Sequence, residues 1–161
     1  MKKFIVVLLG FFLFTATGFA QEYPVSEKSY QSINDATRTF VNFIKLLKQG
    51  EAQGQVKRNQ QLEQMFTQAY YLSSMLRSLG LMIKMEQQHG LKEQYNGIAA
   101  AIIGKYSESI GQEVNAQSTF LDNISTNTKD AVVLKLVGRH REQLAQIADV
   151  LADLGSQLKV K

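Results

Sequence analysis

The chain has 161 residues with no cysteine, no tryptophan and a single proline, and its 18 basic and 14 acidic side chains give a formal net charge of +4. Without cysteine there is neither a disulfide framework nor a thiolate for catalysis or metal binding, so stability must come from a packed core. Two of the basic residues, Lys2 and Lys3, belong to the extreme N-terminus. Without them the balance is close to neutral, and no block of like charges remains to argue for nucleic-acid binding or a polybasic membrane patch.

The N-terminus reads as a secretory leader over residues 1–20. Lys2 and Lys3 precede an apolar run from Phe4 to Phe14, and small residues follow, with Gly18 and Ala20 suited to a signal peptidase before Gln21. The apolar run falls well short of the ~20 residues a membrane-spanning helix needs, so a retained anchor is the weaker alternative. No cysteine follows the cut, which excludes a lipid anchor of the lipoprotein type. The expectation is an exported protein, periplasmic or at the cell surface, whose residues 21–161 form one domain with no stable membrane span.

After Pro24 there is almost none of the β-branched alternation that makes half-buried strands, so the chain is expected to be all-α. In a first helical segment Tyr30, Ile33, Thr37, Phe40, Ile44 and Leu47 step by three and four behind Ser26 as N-cap. Gly50 and Gly54 mark its end. A second segment keeps Leu62, Met65, Ala69, Leu72, Leu76, Leu79 and Ile83 in heptad register, with Phe66, Tyr70, Met75 and Met82 widening the apolar face, and closes at His89 and Gly90.

A third segment carries Leu91, Tyr95, Ile98, Ile102, Tyr106, Ile110, Val114 and Phe120 on its expected core side. Gly97, Gly104 and Gly111 recur every seven residues, with Ala100, Ala101 and Ser107 beside them, and are expected roughly opposite that side. The small residues Gly97, Ala101, Gly104 and Gly111 form a candidate stripe for close approach of another helix, with a break, a bend or a helix of the same bundle as the preferred explanation. A last helix begins behind the polar stretch 125–130, with Asn127 as expected cap and Asp130 three positions on. Val133, Val137, His140, Leu144, Ile147, Leu151, Leu154 and Leu158 form its seam. His140 interrupts that seam, and between Arg139 and Arg141 a partly solvated imidazole at a groove is expected over a buried pH switch.

No arrangement of side chains points to catalysis. The two histidines, His89 and His140, belong to no metal-binding or di-iron pattern, no nucleophile elbow or phosphate loop occurs, and Glu63, Glu86, Glu93, Glu108, Glu113 and Asp149 read as solvated face residues. No catalytic residue, cofactor or metal is therefore expected. The architecture expected is an antiparallel bundle of three to four long helices working through protein contacts, and its heptad seams are compatible with a homo-oligomer.

The order of features, with the segments AAIIGKYSESI, NISTNTKDAV and GRHREQLAQIADVL, resembles the secreted helical minor pilus-tip subunits of conjugative type IV secretion systems. Gly104, Tyr106, the polar turn before Asp130 and Arg139 to Arg141 carry the resemblance. It implies a non-enzymatic part in transfer of DNA or protein, with other subunits of an envelope or pilus assembly as partners. A periplasmic helical chaperone or adaptor is the alternative role.

Overall fold

The computed structural model describes residues 27–51, 56–89 and 93–159, which fold into four helices: α1 (Glu27–Glu51), α2 (Val56–His89), α3 (Glu93–Asn127) and α4 (Ala131–Lys159). The expected leader, the Ser26 cap and the Gly90 stop lie outside the described residues. Among the described residues there is no strand, and the chain is an all-α helical bundle.

Each helix forms because its apolar residues recur at intervals of three and four, so that one stripe can leave water. The row predicted in α2 is the clearest: Leu62, Met65, Ala69, Leu72, Leu76, Leu79 and Ile83 are all fully buried. Fully burying one Leu or Ile side chain stabilises by about 1.5–3 kcal/mol, which makes this row the backbone of the core. In α1, Ile33, Phe40, Phe43, Ile44 and Leu47 are buried, and Thr37 joins them because its hydroxyl donates to the Ile33 carbonyl at 2.7 Å. In α4 the expected seam from Val133 to Leu154 is buried as well.

Helix α3 departs from the expected face. Ile98 and Ile102 are 56% and 54% exposed, whereas Ile103, Ser107, Ile110, Val114, Gln117, Leu121 and Ile124 are buried. The reason is geometric. A row advancing only by four precesses about 40° per step, so the series from Ile98 through Ile102 and Tyr106 to Ile110 winds a third of the way around the helix. The buried row alternates four and three, and two of its members are polar, which hides it from a search for apolar residues.

Helices α1 and α3 each pack against both α2 and α4, while α2 and α4 touch lightly. Side-chain bonds fix the directions. Ser29 near the start of α1 donates to Gln157 near the end of α4 at 2.6 Å, and Arg141 near the start of α4 meets Asp122 near the end of α3 at 2.5 Å. At the opposite pole Arg58, early in α2, reaches Asp130 at the start of α4 at 2.6 Å.

The turn between α3 and α4 corrects the expected cap. Asn127 is the last residue of α3 and its amide donates back to the Asn123 carbonyl at 2.9 Å. Asp130 caps α4 instead: its Oδ1 accepts from the amides of Val132 at 2.9 Å and Val133 at 3.3 Å, and its carbonyl accepts the first helical bond from Leu134. The Arg58 guanidinium, with these two amides, holds the Asp130 carboxyl below its ordinary range against the opposing pull of desolvation.

Candidate functional site

The most distinctive chemistry of the bundle lies where its seams turn polar. His140 replaces an apolar residue in the α4 row and is 0% exposed, contrary to the expected half-solvated position. Its flanking arginines do not open the site, because Arg139 and Arg141 lie on the exposed side of α4. Phe40 and Phe43 of α1 pack on the imidazole with ring centroids 5.6 and 4.9 Å away, both tilted, and the two phenyl rings stack on each other at 6.0 Å.

On the α3 side, His140 Nε2 lies 3.2 Å from Gln117 Oε1. The orientation of that amide follows from its other bonds: Gln117 Nε2 donates to the Gln68 carbonyl of α2 at 2.8 Å and to Glu113 Oε1 at 2.8 Å. With both amide hydrogens engaged, the Gln117 oxygen must accept, so Nε2 of the neutral imidazole carries the proton. His140 Nδ1 is then a bare lone pair, buried and without a hydrogen-bond partner. Burial pushes this histidine down from its usual range to about 4. One layer thus joins all four helices: aromatic rings from α1, a backbone carbonyl from α2, an amide from α3 and an imidazole from α4. Gln117 escaped the sequence reading, although a strict alternation of four and three from Ile103 would have placed it on the seam.

The candidate small-residue stripe does not lie wholly opposite the core. Ser107 is itself buried, and a Cβ on Gly104 would stand 3.7 Å from Leu158 of α4, so a helix of the same bundle already covers that point. Ala101 is exposed, and a Cβ on Gly111 would meet nothing within 4 Å. Gly97 falls within α3, but its surroundings lie outside the described residues. The helix runs unbroken through all four positions.

The outer faces carry apolar side chains of their own. Leu81 and Met85, one turn apart on α2, are both 61% exposed, and Ile98 and Ile102 form a similar pair on α3. Tyr70 and Tyr71 are exposed on α2 as well. A groove of about 690 Å³ between α2 and α3 is lined by Gln60, Glu63, Gln64, Thr67, Gln68 and Phe120, with one carboxylate and no second acid or base to work with it. Glu86, expected on a solvated face, continues the rhythm of the α2 seam and is buried. Among the described residues no group of three or more His, Asp or Glu side chains could hold a metal ion, and no helix is long and apolar enough to cross a membrane.

Comparison with known proteins adds no relative: no protein-family model, curated protein or solved structure matches the chain significantly.

Proposed function

We propose that the chain is an exported, non-enzymatic helical bundle that works through protein contacts, as a periplasmic or surface subunit of a conjugative type IV secretion apparatus. The observation that carries the contact role is the placement of Leu81 with Met85 and Ile98 with Ile102 on outer faces, while each helix buries a complete inner row. Neighbouring exposed aliphatic side chains on a long helix give a partner protein an apolar surface to cover. Export is supported by the leader-like segment of residues 1–20, and the secretion setting by the resemblance of residues 100–150 to pilus-tip subunits. Ala101 and Gly111, the open positions of the candidate stripe, belong to this reading as points where a partner helix can approach.

The test is affinity capture of the tagged protein from envelope extracts of its host, with crosslinking and mass spectrometry. Secretion-channel or pilus proteins recovered with crosslinks to α2 or α3, and lost in Leu81→Ser/Met85→Ser or Ile98→Ser/Ile102→Ser, uphold the proposal. Recovery of many unrelated envelope proteins would instead identify a chaperone or adaptor and reject the apparatus.

A further inference from the structure

The four helices associate more extensively as two hairpins, α1 with α2 and α3 with α4, than across the boundary between those hairpins. At the level of His140, ring contacts and hydrogen bonds across that boundary are made by the pair His140 and Gln117. The imidazole of α4 meets Phe40 and Phe43 of α1, and its partner Gln117 on α3 reaches the Gln68 carbonyl of α2. We propose that protonation of His140 unlocks this joint, so that acid parts the α1–α2 hairpin from the α3–α4 hairpin while each remains helical.

The chemistry of the surroundings gives the reason. A second proton must go onto Nδ1, which has no acceptor within hydrogen-bond reach. From α1 the imidazolium would face only Phe40 and Phe43, whose tilted rings do not present their faces squarely to it. From α2 the Gln68 carbonyl accepts from Gln117 while the Gln68 side-chain oxygen is buried without a partner and does not bond the imidazole, and on α3 the carboxylate of Glu113 accepts from that same Gln117 amide. On α4 itself the neighbours are Arg139 and Arg141, both cationic and exposed, the latter paired with Asp122. No carboxylate bonds the imidazole directly, since Glu113 is held one side chain away through Gln117, and separation of the hairpins lets water solvate the new charge.

The sign follows from linkage. A histidine near 6.5 when solvated and about 4 when enclosed favours the closed form fully above pH 6.5 and loses that preference as pH falls toward 4, by up to roughly 300-fold in the closed-to-open ratio. Physiological use of the switch rests on the exported location proposed above, where the medium sets the pH. The test reads the fold alone, so either idea can fail without the other.

The absence of native cysteine makes the test clean, since introduced pairs take spin labels without competition. Pulsed electron paramagnetic resonance measures distances across the boundary with Lys45→Cys/Glu142→Cys, and within each hairpin with Arg38→Cys/Ser74→Cys and Glu108→Cys/Ala152→Cys. Between pH 7 and pH 4 the first distribution is expected to lengthen and the other two to hold. In the His140→Leu/Gln117→Leu background the first should hold as well. An unchanged cross-boundary distance, an equal change in that background, or simultaneous broadening of all three pairs would overturn the proposal. Should the double variant fail to fold, the His140 ring signal by nuclear magnetic resonance decides: its titration must coincide with the distance change, and titration near pH 6.5 without one rejects the switch.

Discussion

Gln117 is the side chain on which the buried layer turns, because it bonds to groups from two other helices, Gln68 of α2 and His140 of α4. Replacing it with leucine leaves the His140 N–H enclosed without an acceptor, and stranding a buried donor costs about 1–3 kcal/mol. Urea denaturation of Gln117→Leu at pH 7 should show that loss, and adding His140→Leu should recover part of it, since removing both partners leaves no orphan; a double variant weaker than the single one would contradict the assigned geometry. At the other polar position, Asp130 does two things at once by capping α4 and receiving Arg58. Asp130→Asn keeps an oxygen for the cap and loses the ion pair, whereas Asp130→Ala loses both. The urea midpoint should therefore fall in the order wild type, Asn, Ala. Because the carboxyl is held below its ordinary range, the advantage over Asn should be present at neutral pH and vanish as the solution is taken to strong acid.

Helix α3 offers the sharpest comparison, between two isoleucines adjacent in sequence. Ile103 is enclosed and Ile102 half in solvent, so Ile103→Ala should cost about 2–5 kcal/mol and Ile102→Ala under about 0.5 kcal/mol. Equal effects would return the core face to the row through Ile98. Glycine content matters at the same scale. A Cβ at Gly111, Gly138 or Gly155 meets nothing within 4 Å, and alanine is favoured over glycine in a helix interior by about 0.5–1 kcal/mol, so each Gly→Ala should raise the melting temperature. The rows of α1, α2 and α4 were legible in the sequence because nearly all their members are apolar. That of α3 was legible at Ile110 and Val114 but not in its phase, since Ser107 and Gln117 occupy seam positions while Ile98 and Ile102 stand outside. The same cause concealed half of the polar layer: His140 was visible as an interruption of an apolar row, but its partner sat in a row whose polar members made it unreadable. The α4 cap was misplaced because Asn127 and Asp130 are both good capping residues, and only the amides of Val132 and Val133 decide between them.

For the molecule as a whole, the all-α class and the four helices among the described residues, expected as three to four, follow from periods and breaks along the chain, while the pairing of helices does not. Any of several arrangements would bury the same rows; Ser29 with Gln157, Arg58 with Asp130 and Arg141 with Asp122 distinguish the one adopted. The first of these bonds also brings the start of α1 beside the end of α4. Residues 29 and 157 are side by side, so the order of the helices along the polymer is separable from their order around the bundle. A permuted chain that joins α4 to α1 through a short glycine-serine link and opens between Thr128 and Lys129 should fold to the same helix content by circular dichroism, because the cut leaves Asp130 to cap α4. It also follows that whatever is joined directly ahead of α1 is delivered to the same pole as whatever is joined directly after α4, with the Arg58–Asp130 end of the bundle as the far tip.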